Sequence, residues 1–344
     1  MPSCTALFVD RLAMTFGLTN ESVRDAVTEW MQHGGRELYG FPVTSTRGGR
    51  YYSFSKKIEF DADRDVSLLV EYSPAACWRE RDVVENTQDA EAEQDLDVYA
   101  VRDSRRPFRI EFNPARLMET PAYYQAFLSI MTLWFGDALH NEVSRARITR
   151  IDLAVDITGV SINSLLAARQ DSTVMSTTYG RDGHIQTMYL GSKNSSERFV
   201  IYDKRAQRAA ESDAPIAGRP RTRIEVRLKA SLSLLDLRRY RNPFRHLGLR
   251  HIDDMLVASL GNSPHYWDWM VSASKQDGLQ ATLARIRNPR TRKGWRDRVF
   301  EREAPEWWNP DALWGGLGAA LDAVGIFPAG RHVRRVRGRC ELGS

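Results

Sequence analysis

The sequence has few cysteines and no long apolar run. Three cysteines occur in 344 residues, Cys4, Cys77 and Cys340, and they match no metal-binding spacing. We therefore predict no disulfide framework and a reducing compartment. No stretch reaches the roughly 18 uninterrupted apolar residues that indicate a transmembrane helix, and the first residues lack the basic and apolar regions of a signal peptide. The expected location is the cytoplasm, without contact with a membrane.

Charge is nearly balanced overall but unevenly distributed. Lys and Arg number 49 and Asp and Glu 44, which gives a net charge of +5. Eight acidic residues lie between Glu80 and Asp97, and this composition predicts a solvated surface loop. Six arginines and one lysine lie between Arg285 and Arg298. One surface is therefore expected to be more basic than the net charge suggests, which favours a polyanionic partner.

The order of the hydrophobic patterns predicts an α+β fold. The predicted order begins with a strand, a helix and two further strands. Another strand, a second helix and the strand at 147–159 follow. We predict one antiparallel sheet with helices on one face, in two β-α-β-like halves. The strands are expected at 6–16, 50–60, 66–73, 105–112, 147–159, 186–191, 197–205 and 221–229, and the helices at 19–33, 121–141 and 161–170.

The pattern changes near residue 232. Before it, strands dominate, and after it the apolar residues recur with a helical period. We therefore predict one domain over residues 1–232 and a mainly helical, basic C-terminal region over residues 233–344 that ends in an Arg-rich tail. Helices are expected at 234–240, 252–260, 279–286 and 311–324.

Two carboxylates interrupt the aliphatic strand at 147–159. Asp152 and Asp156 share one face of that strand, because side chains alternate between faces. Two like charges so close raise each other's pKa unless a cation or several donors cover them. Salt bridges to Arg147 or Arg150 would satisfy them, and so would a metal ion. Repulsion between the two carboxylates also predicts that Asn at either position leaves folding intact.

Two later strands carry further polar faces. Tyr202 and Lys204 share one strand face, and Glu225 lies on another between Arg223 and Arg227. A tyrosine phenolate can attack phosphorus, and a nearby ammonium would lower the pKa of the phenol. Each face is equally compatible with an ordinary solvated strand. A Mg²⁺ or Mn²⁺ ion binds carboxylate oxygens and polarises a phosphodiester, and its candidate ligands are Asp152, Asp156 and Glu225.

These motifs occur in an order that resembles a known family. The segments FVDRLAMTF, RITRIDLAVDITG, MYLGSKNSSERFVIYDKRAQ and RTRIEVRLK together resemble the replication initiation factor family of rolling-circle plasmids and filamentous phages. That family also includes relaxases of some conjugative elements, and the resemblance covers roughly residues 5–232. It implies a metal-dependent endonuclease and strand transferase. Such an enzyme nicks one strand at an origin, keeps the 5′ phosphate on a tyrosine and leaves a 3′ hydroxyl as primer.

The resemblance assigns roles by position. It implies Tyr202 as the nucleophile with Lys204 in support, and Tyr189 on the preceding strand is the competing candidate. The metal ligands would be Asp152, Asp156 and Glu225. Among the residues expected to contact DNA, Arg223, Arg227 and Lys193 lie within the segment that resembles the family. The basic stretch beyond that segment adds Arg290, Arg292, Lys293 and Arg296, which are expected to bind duplex origin DNA through its phosphates.

Two absent motifs refine these expectations. None of the seven histidines forms a pair separated by one hydrophobic residue, the arrangement that holds the metal in another superfamily of nicking enzymes. Any metal would therefore need carboxylates, with His184 as an additional candidate. No GxxxxGK[ST] loop occurs, so unwinding would need a host helicase. A conjugative relaxase with the same chemistry and a non-catalytic DNA-binding initiator or repressor stay open as alternatives, and an oligomer is possible.

Overall fold

The protein is described by a computed structural model that covers residues 2–47, 51–74, 106–169, 174–180, 184–212, 218–251, 264–277, 279–300 and 304–328. In this part of the chain, twelve strands form one sheet. They are β1 Ser3–Cys4, β2 Phe8–Phe16, β3 Glu37–Leu38, β4 Phe41–Arg47, β5 Phe54–Asp61, β6 Val66–Tyr72, β7 Phe108–Phe112, β8 Arg147–Thr158, β10 Met175–Tyr179, β11 Ile185–Leu190, β12 Glu197–Asp203 and β13 Arg221–Leu228.

The predicted α+β class and the antiparallel sheet are confirmed. The strand order is β10-β11-β12-β13-β8-β2-β7-β6-β5-β4-β3, with β1 also paired to β8. Neighbouring strands are antiparallel throughout. The carboxylate-bearing β8 therefore lies near the centre of the sheet, between β13 and β2.

Helices cover the apolar face of the sheet. They are α1 Glu21–His33, α2 Pro114–Met118, α3 Pro121–Phe135 and α4 Leu139–Arg145. Helix α1 begins as predicted, because the side chain of Asn20 accepts a hydrogen bond from the backbone N–H of Val23. The rings of Trp30 and Trp134 lie 4.8 Å apart and join α1 to α3. The predicted helix at 121–141 is interrupted at Gly136, whose φ of +50° favours glycine.

The two faces of β8 are divided as the sequence predicts. Ile151, Leu153, Val155 and Ile157 are fully buried in the main hydrophobic cluster. The alternate positions, Asp152, Ala154 and Asp156, face the other side, and both carboxylates there are buried as well. The aliphatic set fixes the register of the strand, because a shift of one residue would move it out of the core.

The predicted helix at 161–170 is wrong. Only the turn Ile162–Ser164 is helical, and β9 Leu165–Arg169 follows it. This strand pairs with β14 Leu247–His251 in a separate two-stranded sheet, so the region predicted to be mainly helical also contains a strand. A short apolar run suits either structure, and here a partner far along the chain decides between them.

Lys204 also differs from its predicted place. It is the first residue of α5 Lys204–Ser212, not a member of the strand that carries Tyr202. The remaining helices are α6 Leu234–Arg238, α7 Pro264–Asp277, α8 Leu279–Arg285, α9 Pro289–Phe300, α10 Pro310–Gly315 and α11 Leu317–Ala323. The single helix expected at 311–324 is therefore two.

Part of the C-terminal region shares the core of the sheet. Trp308, Leu317 and Leu321 belong to the same buried cluster as the β8 side chains, and the thiol of Cys4 donates to the carbonyl of Trp307 at 3.0 Å.

The division near residue 232 stays a prediction. The helix expected at 252–260, the acidic loop at 80–97 and the tail at 331–339 lie outside the described residues. No helix in the described ranges combines the length and apolar character needed to cross a membrane.

Candidate active site

A cleft of about 830 Å³ lies over the polar face of the sheet. Its walls include Tyr202 from β12, Glu225 and Arg227 from β13, and Asp152 from β8. The start of α5 closes one side, where Lys204 and Gln207 border the cleft. The structure thus brings together most of the residues that the sequence singled out.

Strand register sets the spacing of these side chains. Tyr202 pairs with Arg223, and Arg223 pairs with Asp156. Two residues further along β13, Glu225 pairs with Val200 on one side and with Ala154 on the other. Residues two apart on one strand share a face and are separated by roughly 6.7 Å, which is within reach of a tyrosine side chain. Tyr202 and Glu225 therefore meet diagonally across two neighbouring strands.

The Tyr202 hydroxyl is held by a carboxylate. It donates a hydrogen bond of 2.5 Å to Oε1 of Glu225, and 8% of the tyrosine is exposed. Burial raises the pKa of Tyr202 far above its ordinary value, and the charge of Glu225 raises it further, while Arg223 opposes both. Burial also raises the pKa of Glu225, followed by the charge of Asp10.

The pKa of this phenol is raised overall, although Lys204 lies nearby. The Lys204 ammonium lies 5.8 Å from the centroid of the Tyr202 ring and donates to Oε1 of Gln207 at 2.9 Å. The phenol keeps a raised pKa despite this neighbour. The cation that favours phenolate here is Arg223, because its charge lowers the pKa of Tyr202.

Salt bridges cover both carboxylates of β8. Arg150 donates to Asp152 at 2.6 and 3.0 Å, and it is one of the two arginines that the sequence suggested as a partner. The other, Arg147, contacts Asp236 at 3.4 Å. Burial raises the pKa of Asp152 more than Arg150 lowers it.

Asp156 is covered by two guanidinium groups. Arg223 donates to its two oxygens at 2.6 and 3.0 Å, and Arg221 donates to Oδ2 at 3.0 Å. Burial tends to raise the pKa of Asp156, but Arg223 and Arg221 outweigh burial and hold that pKa below its usual range. Neither Asp156 nor Arg223 is among the side chains that border the cleft. Both share the sheet face of Tyr202 by register but lie outside the cleft lining.

The carboxylates predicted to bind a metal ion differ in how their oxygens are engaged. No cluster of three or more carboxylate, imidazole or thiolate side chains suited to a metal ion occurs among the described residues. The oxygens of Asp156 are engaged by arginines, which disfavours direct coordination. Glu225 remains at the cleft, with its Oε2 accepting from Arg227 at 3.0 Å. Two carboxylates combined with phosphate oxygens and water are sufficient for Mg²⁺.

Sequence reasoning missed a further cleft carboxylate, Asp10. It borders the cleft from β2, and its charge raises the pKa values of both Glu225 and Tyr202. The register of β2 against β8 shifts between Val9 and Arg11, so a bulge presents Asp10 at this position. The signal was available, because Asp10 interrupts an aliphatic strand in the same way as Asp152. Asp10 therefore joins Asp152 and Glu225 as a cleft carboxylate and a candidate ligand for a divalent ion.

The predicted DNA-contacting residues fall in different environments. Arg223 is buried and engaged by Asp156 and by Asp10, the latter at 2.7 Å. Arg227 is partly exposed at the cleft, whereas Lys193 is exposed in the turn between β11 and β12. On α9, Arg290 and Lys293 are exposed and Arg292 is partly exposed. The side chain of Arg296 lies outside the described residues. His184 is exposed just before β11.

Comparison with known proteins finds sequence similarity in the part of the chain that forms much of this cleft. Residues 146–238 match the model of the replication initiation factor family. The matched segment contains β8, β12 and β13, and therefore Asp152, Tyr202 and Glu225, whereas Asp10 and α9 lie outside it. The resemblance noted from the strand motifs is confirmed.

Curated relatives carry the same description. One replication initiation protein of Staphylococcus aureus is 27% identical over 128 residues, which is 37% of this chain and 37% of the relative. A second replication initiation protein of Staphylococcus aureus is 28% identical over 128 residues with the same coverage of both chains. The similarity thus spans little more than a third of either protein.

Proposed function

We propose that the protein is an origin-nicking initiator of rolling-circle replication, with Tyr202 as the nucleophile. The observation that carries this proposal is the hydrogen bond from Tyr202 to Glu225 at the floor of the cleft. A phenol becomes a nucleophile when a base removes its proton and the phosphate is in line with it. Glu225 is that base, because its Oε1 already accepts the hydroxyl proton.

The step that we propose is a phosphoryl transfer. As Glu225 takes the proton, the Tyr202 oxygen attacks phosphorus and forms an O–P bond. The P–O3′ bond breaks with its electron pair on the 3′ oxygen, which takes a proton and becomes the primer hydroxyl. The 5′ phosphate stays on Tyr202. Arg223, the cross-strand neighbour of Tyr202, favours the phenolate, and Arg227 at the cleft adds a positive charge for the phosphate.

A divalent ion fits this site through Asp10 and Glu225. When bound, Mg²⁺ or Mn²⁺ supplies polarisation of the phosphodiester and offsets its negative charge. We propose Asp152 as a carboxylate that keeps Arg150 and Arg227 in place, since its oxygens lie 2.6 Å and 3.7 Å from their nitrogens. Asp156 holds Arg223. This assignment replaces Asp152 and Asp156 with Asp10 among the direct ligands.

The remaining parts of the proposal follow from charge and from absent motifs. The exposed cations of α9 are placed to contact duplex DNA outside the cleft. Because the sequence holds no ATP-binding loop motif, we propose that a host helicase separates the strands. A conjugative relaxase would use the same chemistry on a transfer origin.

The decisive experiment detects a covalent adduct. The protein is incubated with labelled single-stranded origin DNA and Mg²⁺ or Mn²⁺, denatured and separated by size. Wild-type protein should retain label, and peptide mapping should locate the nucleotide on Tyr202. Tyr202→Phe should form no adduct, while its stability changes by no more than about 1 kcal/mol, the net value of one hydrogen bond.

Tyr189→Phe is the matched variant, because it removes the other phenol that borders the cleft. It should still form adduct. Label on Tyr189, or strong nicking by Tyr202→Phe, contradicts the assignment. No adduct from wild-type protein would favour the DNA-binding initiator or repressor without cleavage.

A further inference from the structure

A second tyrosine ring stands beside the nucleophile. Tyr189 on β11 borders the cleft and is partly exposed. Among the described residues, no carboxylate accepts a hydrogen bond from its hydroxyl, in contrast to Tyr202 and Glu225. Tyr189 therefore lacks the base that a nucleophile needs, and its role at this position calls for another explanation.

One side of this ring is covered by an arginine. The guanidinium carbon of Arg198 lies 4.2 Å from the centroid of the Tyr189 ring, a distance typical of a cation–π contact. The Nε atom of Arg198 is buried and has no hydrogen-bond partner in the described structure. The cleft arginines Arg150 and Arg227 pair with carboxylates, whereas Arg198, which is not part of the cleft lining, contacts a ring. The contact fixes the orientation of Tyr189.

Strand register shows which side of the ring remains open. Val200 pairs with Tyr189, and Arg198 and Tyr202 lie two residues to either side of Val200 on β12. Side chains two apart share a face of the strand, so Arg198 covers the side of the ring that points away from Tyr202. The opposite side borders the cleft, next to the nucleophile. Val200 also borders the cleft and extends the apolar surface.

We propose that Tyr189 and Arg198 form a stacking platform for the base of the nucleotide adjacent to the phosphate that Tyr202 attacks. This inference rests on the proposed nicking function and assigns Tyr189 and Arg198 as positioning residues. An aromatic face accepts any of the four bases, because each base has a π surface. The platform holds the strand in register with Tyr202, while sequence recognition arises elsewhere.

The ring is tested by a binding measurement that needs no cleavage. Short oligothymidylate with one central 2-aminopurine is titrated into full-length Tyr202→Phe protein, and fluorescence quenching reports stacking. Adding Tyr189→Leu should remove the quenching and weaken binding about tenfold, within the range measured for one base stacked on an aromatic ring. Tyr189→Phe should restore both, because it keeps the ring.

The same change is then made in the protein that retains Tyr202. Tyr189→Leu should raise the KM for single-stranded origin DNA about tenfold with little change in kcat, as expected for loss of uniform binding. Tyr39→Leu replaces an exposed tyrosine outside the cleft and serves as the control without effect. Arg198→Gln should weaken quenching less than Tyr189→Leu, because the ring remains but is no longer oriented.

The outcomes separate this platform from the nicking proposal. Adduct formation by wild-type protein together with unchanged quenching in Tyr189→Leu overturns the platform and leaves the nuclease. Tyr189-dependent quenching without any adduct keeps the platform in a DNA-binding protein and removes the nuclease. Failure of Tyr189→Phe to restore binding also overturns the platform, because a stacking role requires only the ring.

Discussion

Tyr202 and Glu225 share one short hydrogen bond, 2.5 Å from the phenol oxygen to Oε1 of the carboxylate. Both residues are buried, and the charge of Glu225 raises the pKa of Tyr202, whereas the hydrogen bond from Tyr202 lowers the pKa of Glu225. The phenol can lose its proton only when Glu225 is ionised and able to accept it. The ionisation of Glu225 therefore controls the nucleophile.

Glu225→Gln should slow adduct formation by about 10²- to 10⁴-fold, the usual contribution of a general base. Burial and Asp10 raise the pKa of Glu225, so the wild-type rate should rise with pH through that raised pKa. Gln cannot ionise, and this rise should disappear in the variant. Single-turnover rates across pH measure both effects.

Glu119→Gln is a suitable control for that measurement. Glu119 contacts Arg208 at 3.0 Å on the exposed surface, outside the cleft lining. It should keep the wild-type rate and pH profile. A Glu225→Gln variant that retains the same pH-dependent rise would show that another group takes the proton.

Asp10→Asn should weaken Mn²⁺ binding at least about tenfold, because it removes one of two anionic ligands. It should also lower the pKa of Glu225, since the charge of Asp10 raises that pKa. The pH profile of adduct formation should shift toward lower pH. Titration followed by electron paramagnetic resonance reports bound Mn²⁺ without dependence on activity.

Asp25→Asn provides the comparison, because Asp25 is an exposed carboxylate on α1. It should bind Mn²⁺ as the wild type does. Retained binding in Asp10→Asn, combined with loss in both Asp152→Asn and Asp156→Asn, would return the metal to the pair first suggested by the sequence.

The sequence predicted those parts of the fold that depend on local pattern. The period of β8 separated Ile151 and Leu153 from Asp152, and the helix predicted at 19–33 corresponds to α1 at Glu21–His33. Family motifs pointed to Tyr202 and Glu225. Their hydrogen bond was beyond reach, because it depends on the register of β12 against β13, which no single strand contains.

Each wrong or missed prediction has a physical cause. β9 was read as a helix because its five residues have no period that excludes one, and its partner β14 lies about eighty residues further on. Lys204 was read as strand because the residues before it alternate. Asp10 was overlooked because the bulge that presents it at the cleft depends on the pairing of β2 with β8.

The basic helix α9 should provide duplex affinity. Replacing Arg290, Arg292, Lys293 and Arg296 together by Gln should weaken duplex binding and flatten its salt dependence. Each lost phosphate contact removes about 0.9 from the slope of log K against log salt. Filter-binding titrations at several salt concentrations measure the slope, and nicking of short single strands should largely survive. An unchanged slope would argue against duplex contacts by α9.

Asp156 and Asp152 should respond differently to the same substitution. Asp156→Asn removes the charge between Arg221 and Arg223 and leaves the buried Arg223 with Asp10 alone. We expect a loss of about 3 kcal/mol, at the lower end for breaking a buried ion pair. This revises the expectation from charge repulsion alone. Asp152→Asn should cost less, because burial already disfavours the charge there.

The pH dependence of these two losses should have opposite sign. The pKa of Asp156 is lowered by folding, so its stabilisation is complete above its unfolded pKa of about 3.9 and is lost as pH falls through the folded pKa. The cost of Asp156→Asn should therefore shrink on acidification. The pKa of Asp152 is raised by folding, so wild-type stability falls as pH rises through the folded pKa. The stability cost of Asp152→Asn should therefore be smallest at neutral pH. Urea denaturation between about pH 3 and pH 7 tests both signs, and parallel curves for the two variants would contradict the assigned ion pairs.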